Sequence, residues 1–141
     1  MKNLNSPLFK NIFTLGALWN WGVGLIGLVF TDFAIGLFFG AVAVTDNYFA
    51  LLMFRIVMLA VIIFGIGYFM VSRSLYLNRG LVWLGLLSKM ILFFMFTWYF
   101  ILGMATIFAF LTVAGDLIWS LIFLAFLWQT RDSVDVNIFL G

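Results

Sequence analysis

The sequence has 141 residues, of which 67% are hydrophobic and 9% are charged. Soluble domains contain about 45–50% apolar and about 25% charged residues, so we expect one integral membrane domain over residues 1–141. Cys, His and Glu are absent, which excludes disulfides, thiol chemistry, imidazole-held metals or haem, and Ser-His-Asp catalysis. We therefore expect no enzyme activity, no catalytic residues, no metal site and no cofactor. The net charge of +2 comes without a basic run, so nucleic-acid binding is not expected.

Four segments are long and apolar enough to cross a bilayer, which needs about 20 such residues in a helix. They cover about residues 7–30, 48–71, 80–102 and 105–128. Each is apolar on nearly all sides, as is typical of membrane spans, and the first is too long for the apolar part of a signal peptide. Thr45, Asp46 and Asn47 are capping candidates for the second span, and Asn78 for the third. The sequence predicts an all-α, four-helix transmembrane bundle.

Two shorter segments complete the chain. Residues 33–44 are apolar but too short to cross, so we predict an interfacial or re-entrant helix started by Thr31 or Asp32; an irregular loop is the alternative. Gly36 and Gly40 would let this helix lie closely against a span. The tail over residues 129–141 is polar and then apolar, and we expect it to be disordered or loosely docked.

The charges predict the orientation of the bundle. Basic residues mark the cytoplasmic side of a membrane. Those outside the spans fall in the N-terminal tail, the second loop and the C-terminal tail: Lys2, Lys10, Arg73, Arg79 and Arg131. Asp32 and Asp46 fall in the first loop. We therefore expect both termini in the cytoplasm.

Three polar side chains are predicted to share one layer inside the bundle. At about 1.5 Å of rise per residue, Lys89 lies about 13 Å and Asp116 about 18 Å from the cytoplasmic ends of their spans, with Asn20 at a similar level. Ionisable groups in a membrane usually face the bundle interior or a cavity. The layer can fix helix register, or it can form a polar pocket for a headgroup, an ion or a proton.

Other side chains extend this hypothesis to both sides of the layer. Arg55, near the other end of its span, can snorkel to lipid phosphate or pair with Asp32 or Asp46 at the outer surface. Tyr68 is expected to place its hydroxyl at the membrane interface. The indole groups near the depth of the layer need hydrogen-bond partners. Possible pocket-lining residues are therefore Trp19, Trp21, Tyr68 and Trp119.

The order of these short motifs resembles a family of small, uncharacterised four-span bacterial inner-membrane proteins. The resemblance covers about residues 15–128. It rests on Leu18-Trp19-Asn20, the short apolar segment 33–40, Gly65-Ile66-Gly67-Tyr68, Arg73, residues 85–89 and Gly115-Asp116-Leu117-Ile118-Trp119. It implies a multi-pass protein of the bacterial inner membrane and supports the polar residues as a set. The family has no assigned activity, so the resemblance implies no reaction.

The sequence leaves three functional classes to consider. The leading one is a non-enzymatic subunit or accessory protein of a larger membrane complex, because the chain is small, its loops are minimal and 21% of it is aromatic. The alternative is a binder or transporter of a small ligand, lipid or ion at the layer of Asn20, Lys89 and Asp116. The expected partners are the lipid bilayer and either other membrane protein chains or a second copy. A membrane enzyme ranks last, because one amine and one carboxylate are a thin basis for catalysis.

Overall fold

The computed structural model describes residues 6–40 and 46–131. Within these residues the chain forms five α-helices. They are α1 (Ser6–Val29), α2 (Thr31–Phe39), α3 (Tyr48–Arg73), α4 (Arg79–Ile101) and α5 (Ile107–Gln129). Helices α1, α3, α4 and α5 are long and apolar enough to cross a membrane, which confirms the predicted four-helix bundle. The predicted tail lies outside the described residues from residue 132 onward.

Side-chain caps define several helix boundaries. The Asn47 side chain accepts hydrogen bonds from the backbone N–H groups of Phe49 and Ala50 at the start of α3. Asn78 occupies the N-cap position of α4, as expected, but its side chain makes no capping hydrogen bond there. Its amide instead donates to the carbonyl oxygens of Met70 and Ser74 at the end of α3, over 3.1 and 3.2 Å. Met70 O also accepts from the backbone N–H of Ser74, so the Asn78 amide adds a second donor at the end of α3.

The short helix α2 begins earlier than residue 33 and ends earlier than residue 44. Thr31 is its first residue, although the hydroxyl donates backward to Leu28 O (3.0 Å) rather than capping α2. The helix ends at Gly40, whose φ of 84° lies in the left-handed region that favours glycine. The expected close packing at Gly36 and Gly40 is wrong, because a Cβ at either position would meet no atom within 4 Å. Residues 41–45 lie outside the described residues.

Helices α1 and α3 form one closely packed pair. Glycines allow the approach, since a Cβ at Gly24 would lie 2.9 Å from Met58 O and one at Gly65 would lie 2.6 Å from Trp21 Cδ1. Small residues serve this purpose in membrane helices, where lipid removes much of the hydrophobic drive for association. Helices α4 and α5 form a second pair, joined by the turn that includes Gly103 (φ 72°).

The two pairs meet at the end of the bundle that carries the start of α1, the α3–α4 turn at residues 74–78 and the end of α5. We call this the terminal end, and the opposite end the α2 end. The core of the terminal end is largely aromatic: Phe13 stacks on Phe123 at 5.4 Å between ring centroids, and Phe9 meets Phe126 edge-on at 5.1 Å. Tyr68 belongs to the same buried cluster. This core closes the bundle at the terminal end.

Helix α2 connects the two pairs at the α2 end. It contacts α1, α3 and α5. The backbone N–H of Thr106, just before α5, donates to Phe38 O over 2.9 Å, and the Thr106 hydroxyl donates to Leu37 O. The pairs are therefore joined at both ends, by the aromatic core and by α2. A cavity lies between these two junctions.

Candidate functional site

Lys89 on α4 and Asp116 on α5 form an ion pair near the middle of their helices. Lys89 Nζ lies 2.5 Å from Asp116 Oδ1, and the two side chains are 8% and 15% exposed. No other ion pair occurs among residues 6–40 and 46–131. The pair does not by itself explain stability, because removing two charges from water offsets much of their attraction.

Tyr68 forms the wall of the site next to this pair. Its ring centroid is 5.9 Å from Lys89 Nζ, within the range of a cation–π contact. A Cβ at Gly85 would lie 2.7 Å from both the hydroxyl oxygen and Cε1 of Tyr68, so the ring fits only because residue 85 is glycine. Tyr68 is 1% exposed, and the prediction that its hydroxyl lies at the membrane interface is therefore wrong.

Asn20 lines the same cavity as the ion pair, from α1. Its side-chain amide donates to Val61 O on α3 over 3.2 Å. Among the described contacts it makes no hydrogen bond to Lys89 or Asp116. The three residues of the predicted layer thus surround one cavity, but Asn20 connects α1 to α3 rather than completing a network with the charged pair.

The cavity has a volume of about 830 Å³ and receives side chains from all five helices described. Its polar and charged lining residues are Asn20, Tyr68, Ser88, Lys89, Thr112 and Asp116. The remaining lining is apolar and includes Val23, Ile35, Phe54, Phe64, Leu92 and Val113. The ion pair therefore supplies the charged residues of a mostly apolar lining.

Aromatic side chains cover the cavity at the α2 end, whereas part of its lining on α1, α3 and α4 is exposed on the surface of the bundle. Phe38 of α2 meets Phe96 of α4 and Phe108 of α5 edge-on, at centroid distances of 6.0 and 5.6 Å. The lining residues Val57 and Met95 are exposed on the surface of α3 and α4. In a bundle that crosses a membrane, this surface meets lipid chains.

The charges predicted at the outer surface do not pair with one another. Arg55 Nε donates to the Thr31 hydroxyl over 3.3 Å, linking α3 to the start of α2. Asp32 and Asp46 are exposed, and neither forms an ion pair with Arg55. The prediction that Arg55 pairs with Asp32 or Asp46 is therefore wrong. Snorkelling of the exposed Arg55 side chain stays a prediction.

The four aromatic residues expected to line the pocket divide into two groups. Trp19 and Tyr68 line the cavity. Trp21 lies against Gly65 and Phe69, and Trp119 lies outside the lining, beside Phe123 at the terminal end. The sequence reasoning missed the cover formed by Phe38, Phe39 and Phe96. The apolar run at residues 37–39 carried a signal for it, since a short apolar helix needs a surface to cover.

A larger groove of about 1260 Å³ lies on α4 and α5 near the terminal end. Its lining contains no charged side chain. Its polar side chains already donate within the protein: Ser120 to Asp116 O, and Asn78 to the end of α3. Nothing in this groove selects a ligand over ordinary lipid chains, so the smaller cavity is the candidate site.

Comparisons with protein-family models, with curated proteins and with solved structures found no match for this chain. The resemblance noted in the sequence therefore stays a prediction. The fold and the cavity define the class of protein: a multi-pass α-helical membrane protein with a charged pair facing a cavity inside the bundle.

Proposed function

We propose that this protein binds a small amphipathic molecule within the membrane, in the cavity between its two helix pairs. The observation that carries the proposal is the position of the Lys89–Asp116 pair in the lining of a mostly apolar cavity of about 830 Å³. Small-molecule sites are typically concave, mostly apolar and about 300–1,000 Å³, with a few polar groups that orient the ligand. The apolar body of the ligand would lie along Phe54, Leu92 and Phe96.

The shape of the bundle favours binding over transport and over an ion site. Lining residues such as Val57 on α3 and Met95 on α4 are exposed on the surface that would meet lipid, so a membrane-dissolved molecule could reach the cavity without crossing water. Toward the terminal end, Tyr68, Phe13 and Phe123 fill the bundle and close that route. No cluster of three or more potential metal ligands occurs among the described residues, and most of the lining offers no oxygen to a cation.

The arrangement of charge supports a cytoplasmic terminal end. Lys10, Arg73, Arg79 and Arg131 all lie at the terminal end of the bundle, whereas Asp32 and Asp46 lie at the α2 end. The Arg79 guanidinium donates to Leu127 O at the end of α5 over 2.9 Å. We propose that the protein lies in a bacterial inner membrane in this orientation, by the basic-residue rule.

Purification with and without a blocked cavity tests the proposed binding. The protein is extracted in mild detergent, and bound small molecules and associated chains are identified by mass spectrometry. Ala60 and Ala125 are both exposed, but only Ala60, on α3, lines the cavity, so Ala60→Trp adds an indole at the cavity and Ala125→Trp adds one to α5 away from it. We expect one reproducible apolar molecule with wild type and Ala125→Trp, and its loss with Ala60→Trp. The same molecules in all three samples would contradict the proposal.

The two other functional classes remain predictions. Exposed aromatic side chains on the spans can pack against lipid chains as well as against a protein partner. The surface therefore does not favour a complex subunit over a ligand binder. Partner chains at a fixed ratio in the same purification would favour the subunit. The proposed role is binding without catalysis, since the site offers one amine and one carboxylate that already neutralise each other.

A further inference from the structure

We infer that the molecule bound in this cavity carries an uncharged hydroxyl head, and that the Lys89–Asp116 pair sets this preference. The inference rests on the proposed function, because it names the chemical class of the ligand for the same site. The ligand class is a single-chain or ring-bearing apolar alcohol rather than a fatty acid, an anionic lipid or a lipophilic cation.

The neutrality of the pair is the first reason. Lys89 and Asp116 cancel each other at 2.5 Å, and no other charged residue lines the cavity. A charged head would enter a mostly apolar space in which the residue of opposite charge, Lys89 or Asp116, is already paired. It would lose its hydration without gaining an ion pair, which is unfavourable. An uncharged head avoids this cost.

The hydrogen-bonding capacity of the lining is the second reason. Most other polar lining groups use donors on the protein backbone: Ser88 Oγ on Gly85 O, Thr112 Oγ1 on Phe108 O, and one N–H of Asn20 Nδ2 on Val61 O. A lysine ammonium has three donors and a carboxylate about four acceptor sites. The pair uses one of each in its own contact. A ligand hydroxyl can accept from Lys89 and donate to Asp116 at the same time, whereas a carbonyl can only accept.

Three probes with the same apolar chain and different heads test the inference. They are 1-hexadecanol, hexadecyl sulfate and hexadecyltrimethylammonium, which are neutral, anionic and cationic. Binding of radiolabelled 1-hexadecanol to the full chain in phosphatidylcholine nanodiscs is measured by scintillation proximity and competed with each probe. For wild type we expect 1-hexadecanol to compete at a concentration about tenfold or more below either charged probe, a factor that corresponds to about 1.4 kcal/mol.

Variants of the pair should change the preference in a defined direction. Asp116→Asn leaves the Lys89 charge without its partner, so hexadecyl sulfate should become the best competitor. Lys89→Gln leaves the Asp116 carboxylate without its partner, so hexadecyltrimethylammonium should become the best competitor. This second variant tests the inference if Asp116→Asn fails to fold. The exchanged pair, Lys89→Asp with Asp116→Lys, restores neutrality and should keep the wild-type order.

The outcomes separate the inference from the proposed function. Specific binding of none of the three probes by wild type would overturn both. Equal competition by all three, or a wild-type preference for a charged head, would overturn the inference and leave binding in the cavity standing. An unchanged order in the folded single variants would also overturn it, because the charged pair would then not determine head preference.

Discussion

Gly85 is a position beside the candidate site where a single added methyl group would meet two buried aromatic rings. In Gly85→Ala, the new Cβ would lie 2.7 Å from Tyr68 Cε1 and from the Tyr68 hydroxyl oxygen, and 3.0 Å from Phe123 Cε2. Both rings are fully buried, and the centroids of Tyr68 and Phe123 lie 5.1 Å apart. The variant must therefore shift a buried ring or separate α4 from the rest of the bundle.

The expected cost follows from this overlap. Overpacking a well-filled core by one methyl group typically costs about 1–3 kcal/mol, so we expect Gly85→Ala to lower the free energy of unfolding by about 2 kcal/mol. Gly115→Ala is the matched control on α5, because a Cβ there would meet no atom within 4 Å. Alanine is favoured over glycine in helices by about 0.5–1 kcal/mol. The control should therefore be unchanged or slightly more stable.

Unfolding in mixed micelles with increasing sodium dodecyl sulfate, followed by tryptophan fluorescence, measures both variants against wild type. Gly85→Ala should also weaken binding of 1-hexadecanol, since Tyr68 lines the cavity that Gly85 supports. A Gly85→Ala variant as stable as wild type would refute the reasoning, as would an equal loss in Gly115→Ala. In either case the close contact between Tyr68 and Gly85 of α4 would not determine the stability of the bundle.

Two further experiments test the junction at the α2 end and the orientation of the bundle. Thr106→Val removes a hydroxyl that accepts from Ala109 N at the start of α5 and donates to Leu37 O in α2. We expect the free energy of unfolding to fall by about 1 kcal/mol and hydrogen exchange in α2 to become faster. Thr14→Val is the control. Equal exchange in both variants would contradict this role. The chain has no native cysteine, so Asp46→Cys should react with a membrane-impermeant maleimide in intact cells and Tyr76→Cys only after permeabilisation. The reverse pattern would invert the proposed topology.

The spans were predictable because length and apolar composition are local properties. Their observed bounds differ from the predicted ones by only a few residues. The level of Lys89 and Asp116 could also be calculated, since the rise per residue is fixed in a helix. The end of α2 was less accessible, because it depends on the positive φ of Gly40 and on contacts with Thr106 that lie far along the chain.

The side of each helix that faces the interior could not be predicted. The spans are apolar on nearly all sides, so hydrophobic periodicity does not distinguish a lipid-facing side chain from a buried one. Tyr68 and Trp119 show the consequence, because both were placed by depth alone. Their actual positions depend on helix rotation, which brings Tyr68 against Gly85 and Trp119 against Gly16. Some glycines inside the spans, such as Gly16 and Gly85, mark such contacts, whereas Gly115 does not.

The surroundings of the charged pair bear on whether it serves structure or binding. A pair that only fixes helix register gains most when neighbouring side chains satisfy its remaining hydrogen bonds, because a partly satisfied buried network is costly. Here Asn20, Ser88 and Thr112 donate to backbone oxygens instead. Lys89 and Asp116 therefore retain hydrogen-bonding capacity on the side that faces the cavity. A site that binds the polar head of an apolar molecule accounts for this arrangement, whereas register alone does not.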